Sequence, residues 1–347
     1  MFKRAALLVL LSVSIAGWSS CGSTSSRYVY ATSVNQVLAF REDPNSGVLT
    51  PVPGSPFATG NGARSAVLAP GKKFVYVANA GDNDISLFTV SSSGALSEVT
   101  PRTTTNGTPV DLAIDPAGAY LYAATASPSN SIAVFSISSS SGALTAVGSP
   151  FPIGVSATGM ELTPSGNFLF LASAGAPGAV SVFAVKAGVL SVVAQTTVGT
   201  NPVGLATDSA GSFLYVANSL DNSISSFSIG ASGALTQVSS FSDLSTVPLA
   251  LVVDPTGKYL YVANTGSNNI TGYTISSGAL TVLSSSPFGG ISAPGTIAVD
   301  PNGKYLLVGS QSSGGIAVFR LDASNGSLSS SATYSSGSSV TSIVVTD

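Results

Sequence analysis

Histidine is absent from all 347 residues of this chain. Its absence excludes a Ser-His-Asp triad, a histidine general base and any zinc or iron site that uses histidine ligands. The chain also lacks a Gly-x-Ser-x-Gly elbow, a P-loop and a dinucleotide-binding fingerprint. We therefore expect no metal and no cofactor, and any catalysis has to come from carboxylate, hydroxyl and guanidinium groups.

Charged residues and cysteine are also scarce. Asp, Glu, Lys and Arg make up 8% of the chain, and the formal net charge is -3. Because there is no basic stripe with interleaved aromatic residues, we expect no nucleic-acid partner. Cys21 is the only cysteine, so no disulfide can form within the chain, and the fold has to be stabilised by burial of its own core.

The N-terminus contains a basic head and an apolar run. Lys3 and Arg4 precede an apolar segment at residues 5–17, which is typical of the hydrophobic region of a signal peptide and is too short to span a bilayer. We predict that residues 1–20 form a signal peptide and that residues 21–26 form a flexible tether. The protein is therefore expected to be exported.

The residues around Cys21 resemble the cleavage site of bacterial lipoproteins. The sequence Trp-Ser-Ser-Cys at residues 18–21 ends the apolar run, although Trp18 occupies a place where leucine is usual. The resemblance implies that Cys21 is lipidated and anchors the protein in the bacterial cell envelope. Gly22 after the cysteine implies the outer membrane in a Gram-negative cell. Membrane contact is expected through this lipid anchor alone, and cleavage without lipidation is the alternative.

The rest of the chain repeats a unit of about 46 residues, seen most clearly at residues 251–283. An apolar strand at 251–253 is stopped by the turn Asp-Pro-Thr-Gly, and a second strand at 259–263 is apolar on both faces. A third strand at 270–275 and a Ser-Gly turn then lead to a fourth strand at 280–283. Four short antiparallel strands without helical crossovers are typical of one blade of a β-propeller.

Three registers in the sequence indicate seven copies of this unit. An aromatic residue opens each second strand, at Tyr28, Phe74, Tyr120, Phe168, Phe213, Tyr259 and Tyr305. Another aromatic residue occupies each third strand, at Phe40, Phe88, Phe135, Phe183, Phe227, Tyr273 and Phe319. A Gly-x-Leu turn precedes each fourth strand, with its glycine at Gly47, Gly94, Gly142, Gly188, Gly233, Gly278 and Gly326. Because the registers stay in phase, they predict seven blades rather than a chance pattern in a chain rich in serine and glycine.

The first and last copies are each incomplete. Residues 27–50 begin directly with a second strand, whereas residues 340–345 match a first strand and follow the last complete copy. We predict that this C-terminal strand joins the N-terminal blade and closes the ring, which removes the free sheet edges that promote aggregation. The predicted fold is all-β: a seven-bladed β-propeller over residues 27–347 with four antiparallel strands per blade. A closed ring of this kind is expected to be monomeric.

The blade motifs carry a family resemblance that covers residues 27–347. The sequence Tyr-Val-Ala-Asn occurs at residues 76–79, 215–218 and 261–264, and Asp-Pro-x-Gly turns begin at Asp115, Asp254 and Asp300. Together they are similar to the YVTN-repeat and lactonase families of seven-bladed propellers. These families include bacterial 6-phosphogluconolactonases, muconate-lactonising enzymes and many surface proteins with no known reaction.

The resemblance implies the fold more strongly than the activity, because these motifs build blades. Muconate-lactonising members are expected to use a histidine with arginine and glutamate, and this chain has no histidine to match. Lactone hydrolysis stays possible, because a carboxylate can activate water and a nearby cation can stabilise the developing oxyanion.

Charged residues at irregular places on the innermost strands mark a candidate site. Four residues before the aspartate of each turn, or its equivalent, six copies carry a small residue: Ser65, Gly159, Gly204, Ala250, Thr296 and Ser342. The remaining copy carries Asp111, which breaks this pattern. Two residues further on, Glu161 replaces an apolar residue that every other copy has: Val67, Ala113, Ala206, Val252, Ala298 and Val344. A carboxylate in such a column costs free energy unless it is paired or hydrated.

We predict a site at the mouth of the central channel, built from three consecutive blades. Glu161 is the candidate general base, Arg64 the clamp for an anion or oxyanion, and Asp111 the orienting or ligand-contacting group. Further candidate hydrogen-bonding groups for a ligand are Ser65, Thr296 and Ser342. The alternative is that the three charged residues form a structural cluster or face channel water.

The sequence favours a non-catalytic role over an enzymatic one. The missing histidine, the sparse charge and the regular repeats favour an exported, lipid-anchored binding or scaffold module for a small polar ligand, a glycan or a cell-envelope protein. The family resemblance and the irregular Arg64 and Glu161 favour the alternative, a lactonase-like hydrolase that opens a sugar lactone at the channel mouth.

Overall fold

The computed structural model describes residues 26–242, 245–312 and 314–346. The predicted signal peptide, Cys21 and the tether up to residue 25 lie outside the described residues. Within the described part, thirty strands form seven antiparallel sheets, which are the blades of an all-β propeller. Among these residues there is no helix with the length and apolar character needed to cross a membrane. The fold predicted from the repeats is confirmed.

The strands follow the chain from blade to blade, and the innermost strand of each blade comes first except in blade 1. Blade 1 contains β1 (Arg27–Ser33), β2 (Gln36–Glu42), β3 (Leu49–Pro51), the short β4 (Phe57–Ala58) and β30 (Val340–Val345). Blade 2 contains β5 (Ala63–Leu68), β6 (Phe74–Asn79), β7 (Asp84–Val90) and β8 (Leu96–Thr104). Blade 3 contains β9 (Pro109–Ile114), β10 (Tyr120–Thr125), β11 (Ser131–Ile137), β12 (Leu144–Ala146) and the short β13 (Phe151–Pro152).

The remaining four blades have four strands each. Blade 4 contains β14 (Ala157–Leu162), β15 (Phe168–Ser173), β16 (Ala179–Lys186) and β17 (Val189–Thr197). Blade 5 contains β18 (Pro202–Thr207), β19 (Phe213–Asn218), β20 (Ser223–Ile229) and β21 (Leu235–Ser242). Blade 6 contains β22 (Pro248–Val253), β23 (Tyr259–Asn264), β24 (Asn269–Ser276) and β25 (Ala279–Val282). Blade 7 contains β26 (Pro294–Val299), β27 (Tyr305–Ser310), β28 (Gly315–Leu321) and β29 (Leu328–Ser335).

The C-terminal strand closes the ring as predicted. β30 pairs antiparallel with β1, so that Val344 lies opposite Tyr30. The closure also contains a buried ion pair, in which Arg27 Nη1 of blade 1 lies 2.5 Å from Asp300 Oδ2 of blade 7. The ring is therefore closed by main-chain hydrogen bonds between the two chain ends within blade 1 and by a side-chain ion pair between blades 1 and 7.

The second strand of each blade is the most deeply buried. Every residue of β6, β23 and β27 is buried, which explains why the sequence of these strands is apolar on both faces. Each such strand has a neighbouring blade on either side, so both of its faces are covered. The hydrophobic core is consequently divided into clusters that lie between consecutive blades.

Two of the three sequence registers meet in one contact between blades. The aromatic ring that opens each second strand lies against the glycine of the Gly-x-Leu turn in the next blade, in the pairs Tyr28–Gly94, Phe74–Gly142, Tyr120–Gly188, Phe168–Gly233, Phe213–Gly278, Tyr259–Gly326 and Tyr305–Gly47. A Cβ added to these glycines would lie 2.2–2.6 Å from the ring, and their φ angles are +69° to +85°. Glycine is required at this turn for both reasons.

Tyrosine hydroxyls reinforce the same contact. Two residues after the aromatic, the hydroxyl of Tyr30 donates to the carbonyl oxygen of Gly94 at 3.0 Å, and Tyr76 donates to Gly142 at 2.7 Å. The equivalent bond recurs between blades 6 and 7. The hydroxyls of Tyr122 and Tyr215, at the same place in blades 3 and 5, find no such partner among the described residues. The tyrosine hydroxyl therefore reinforces the contact at three of the interfaces between blades.

The aromatic–glycine contact predicts a difference between two glycine substitutions. Gly188→Ala introduces a Cβ at 2.6 Å from Tyr120, whereas Gly148→Ala places one in open space, and both positions have positive φ, +78° and +66°. We expect both variants to lose about 1 kcal/mol from the backbone conformation, and Gly188→Ala to lose a further ~1–3 kcal/mol from overpacking. Denaturant unfolding measures both losses, and equal values would contradict a structural role for the contact.

Candidate functional site

The innermost strands of all seven blades surround a channel, and one mouth of this channel is a cavity of about 610 Å³. Its size falls within the range typical of small-molecule sites. The propeller fold explains the position of the cavity, because the innermost strands diverge around the central axis and carry small residues at this level. The cavity is therefore the place to compare with the site residues predicted from the sequence.

Five of the six candidate residues line this cavity: Arg64, Ser65, Asp111, Thr296 and Ser342. Glu161 is not part of the lining. It lies two residues beyond Gly159 on β14, which places it roughly 7 Å further along the channel. The structure thus brings the arginine and Asp111 to the mouth and sets Glu161 one level below it.

The small polar residues at the mouth connect neighbouring blades. In three consecutive blades, the side chain at this level accepts a hydrogen bond from a main-chain N–H of the next blade. The pairs are Ser342 with Ala66 at 3.3 Å, Ser65 with Leu112 at 3.4 Å, and Asp111 with Met160 at 2.8 Å. These side chains therefore satisfy donors that point away from their own sheets.

Both carboxylate oxygens of Asp111 are engaged by these blades. Its Oδ1 accepts from the Ser65 hydroxyl at 2.8 Å and from its neighbour's N–H, that of Leu112, at 2.9 Å, while Oδ2 accepts from the Met160 N–H. Burial raises the pKa of Asp111, and these hydrogen bonds together with the nearby Arg64 oppose the rise. Asp111 accordingly holds three blades together and orients the groups around it.

Glu161 is held by a single residue of the next blade. Its Oε1 accepts from the N–H of Thr207 at 3.2 Å and from the Thr207 hydroxyl at 3.0 Å. Burial raises the pKa of Glu161 to about 7; the Thr207 hydrogen bonds oppose this, and the charge of Asp111 adds to it. A carboxylate with this pKa is partly ionised at neutral pH and can take up a proton from water.

Arg64 lies exposed at the rim of the cavity. Among the ion pairs of residues 26–242, 245–312 and 314–346, none involves Arg64. Its guanidinium is therefore accessible to a ligand in the mouth, and it can bind a carboxylate or stabilise a developing oxyanion.

Sequence reasoning missed Thr207, although the repeat contained a signal for it. The six equivalent residues of the other copies are all apolar: Leu68, Ile114, Leu162, Val253, Val299 and Val345. Thr207 is thus the one polar residue in its column, just as Glu161 is in its own. A buried carboxylate needs a hydrogen-bond donor, so an unusual polar residue on the adjacent blade is a recognisable candidate for the partner of Glu161.

A family model described as "Lactonase, 7-bladed beta-propeller" matches this chain over residues 25–158, 151–248 and 243–345. The matched segments together cover almost all of the described chain. The protein therefore belongs to the seven-bladed lactonase propeller family. A search of curated proteins found no match.

Solved structures with the same fold include two from bacteria. A Bacteroides fragilis protein with a provisional assignment as a 6-phosphogluconolactonase has 20% identity and a TM-score of 0.82, with 94% of this chain and 99% of that chain covered. The periplasmic gluconolactonase of Pseudomonas aeruginosa has 19% identity and a TM-score of 0.80, with 93% and 99% covered. At this level of identity, the likeness establishes the shared fold.

The contacts of Asp111 predict a loss of stability when its side chain is removed. Asp111→Ala leaves the N–H of Met160 and the hydroxyl of Ser65 without their acceptor, and we expect a loss of about 1–3 kcal/mol in the free energy of unfolding. Thr296→Ser, at the same level of blade 7, is the control and is expected to change it by less than about 0.5 kcal/mol. A fully stable Asp111→Ala variant would show that these bonds do not hold the blades together.

Proposed function

We propose that this protein is a hydrolase that opens a sugar lactone at the channel mouth, with Glu161 as the general base. The observation that carries the proposal is a carboxylate with a pKa of about 7 directly below a cavity whose rim carries an accessible arginine. Membership of the lactonase propeller family supports hydrolysis better than the binding or scaffold role that the sequence alone favoured.

The reaction needs one base and one site for negative charge. A water molecule between Glu161 and the substrate gives a proton to the carboxylate, and its oxygen attacks the lactone carbonyl carbon. The guanidinium of Arg64 stabilises the charge that develops on the carbonyl oxygen. The bond between the carbonyl carbon and the ring oxygen then breaks, and the proton on Glu161 passes to the ring oxygen. The product is an open-chain hydroxy acid.

The charge at the mouth favours an uncharged sugar lactone over a phosphorylated one. Among the residues that the structure describes, Arg64 is the one cationic residue that lines the cavity, and the lining also contains the acidic Asp111. A phosphate group is normally bound by several cationic or N–H donors arranged around its oxygens. The gluconolactonase activity given for the Pseudomonas aeruginosa structure agrees with this choice.

The test is lactone hydrolysis by the purified protein, with gluconolactone and 6-phosphogluconolactone as substrates. We expect Glu161→Gln to lower kcat/KM by about 10²–10⁴-fold and Arg64→Ala by about 10²-fold. Glu98→Gln, on the outer strand β8, is the matched control and should retain activity. Because Glu161 acts in its ionised form, kcat/KM should rise with pH through about 7 and then level off.

Absence of turnover above the rate in buffer would refute the hydrolase. The binding module for a small polar ligand, glycan or cell-envelope protein would then be the better description. Turnover that survives Glu161→Gln with an unchanged pH profile would instead show that another group is the base.

We also propose that the protein is exported and anchored by lipid at Cys21, as a monomer in the cell envelope. The lipoprotein-like residues 18–21 support this, as does the periplasmic location given for the Pseudomonas aeruginosa gluconolactonase. Cys21→Ser is expected to release the protein from the membrane fraction, because the substitution removes the residue to which the lipid is attached. Immunoblotting of fractionated cells measures the change, and an unchanged distribution would rule out this anchor.

A further inference from the structure

At the channel mouth, the residues of blades 1, 2 and 3 differ chemically from those of blades 4, 5 and 6. Blades 1, 2 and 3 carry Ser342, Ser65 and Asp111, whose side chains accept from N–H groups of the next blade. Blades 4, 5 and 6 carry Gly159, Gly204 and Ala250 at the same level, and these residues have no side-chain acceptor. The corresponding N–H groups belong to Leu205, Leu251 and Ile297, and we call these three groups the open donors.

The main-chain hydrogen bonds between the first and second strands of each blade show where the open donors point. In blade 5, the N–H of Asp208 donates to the carbonyl oxygen of Phe213 on β19. Because the N–H groups of an antiparallel strand alternate between its two edges, the N–H groups of Thr207 and Leu205 point away from β19. Thr207 confirms this direction, since its N–H donates to Glu161 of the neighbouring blade.

The same argument holds in blades 6 and 7. The N–H of Asp254 donates to the carbonyl oxygen of Tyr259, and that of Asp300 donates to Tyr305. Three residues earlier in each strand, the N–H groups of Leu251 and Ile297 therefore point away from their own sheets. The open donors form an arc along one side of the channel.

The peptide groups of two lining residues are available on this side of the cavity. Leu205 and Leu251 line the cavity, yet the side chain of Leu251 is buried in a hydrophobic cluster and that of Leu205 packs against another. Leu251 consequently presents its peptide group to the mouth, and Leu205 presents its peptide group together with a side-chain methyl near Gly159. For the donor of blade 7, the neighbouring Ala250 of blade 6 lines the cavity, whereas Ile297 itself is not among the lining residues.

One side chain of the protein shows which acceptor group can bind such a donor. Oδ2 of Asp111 lies 2.8 Å from the N–H of Met160, which is the equivalent donor of blade 4. A carboxylate oxygen therefore fits at this level of the repeat. In a ring of seven blades, blade 2 stands across the channel from blades 5 and 6, and its Arg64 lines the same cavity as Leu205 and Leu251.

We propose that the open donors and Arg64 together bind the carboxylate of a small polyhydroxy acid at the channel mouth. N–H donors along one wall of the cavity and a guanidinium that lines the same cavity can hold an anion, because charge-assisted hydrogen bonds favour carboxylate oxygens. The inference rests on the proposed function in one respect: hydrolysis of a sugar lactone produces this kind of acid. The arc then holds the oxygens of the carbonyl group before and after ring opening.

Binding of D-gluconate to the purified protein, measured by calorimetry, tests the proposal without any turnover. D-Glucitol, which has a similar chain of hydroxyls and no carboxylate, is the control ligand and should not compete. Ala250→Ser places a hydroxyl next to the N–H of Ile297, as Ser65 does for Leu112, and should weaken gluconate binding about tenfold. Ala298→Ser is the matched control, because it makes the same change one level away, outside the cavity lining.

The outcomes separate this inference from the proposed function. Gluconate binding that weakens with salt, with Arg64→Ala and with Ala250→Ser supports the anion site, even if no lactone is hydrolysed. Lactone hydrolysis without competition by gluconate would refute the anion site and leave the hydrolase intact. Equal binding of gluconate and glucitol, or equal effects of the two serine variants, would also overturn it. Unchanged thermal midpoints of the serine variants exclude misfolding as the cause.

Discussion

The contact between an aromatic ring and a glycine of the next blade is the constraint on which the whole propeller depends. It occurs between every pair of consecutive blades, including the pair formed by blade 7 and blade 1. The turn has to have positive φ, and it has to leave room for the ring, so both partners are fixed in the sequence. This requirement explains why two registers that are about 20 residues apart in each copy stay in phase along the chain.

The same regularity makes departures in the channel informative. The packed blades place equivalent residues of their innermost strands at the same level of the channel. A residue that differs from its equivalents therefore changes the chemistry of the channel at that level. Asp111 differs by carrying a charge, and it joins three blades. Glu161 differs in the level below and is matched by Thr207 of the next blade. The candidate site therefore arises from a few substitutions in a scaffold whose stabilising contacts lie further out, between the sheets.

The fold could be predicted almost completely from the sequence, because blade spacing, strand pattern and ring closure each leave a periodic trace. The charged residues of the candidate site stand out in the sequence as well, since Glu161 and Asp111 interrupt columns of apolar or small residues. Depth within the channel could not be judged as well, and Glu161 lies below the cavity rather than in its lining. The open donors left no signal of their own, because the direction of a main-chain N–H depends on pairing within the sheet and on the side chain that the neighbouring blade supplies.

The aromatic–glycine contact runs in one direction around the ring. Each blade supplies its ring to one neighbour and its glycine to the other, so the interfaces are head-to-tail and share this contact. A whole copy is consequently a module that could be exchanged, duplicated or deleted without redesign of the aromatic–glycine contact, within the limits that ring curvature sets. The inner strand stands apart from this interlock, and for that reason one copy can acquire a new group in the channel while its neighbours keep theirs.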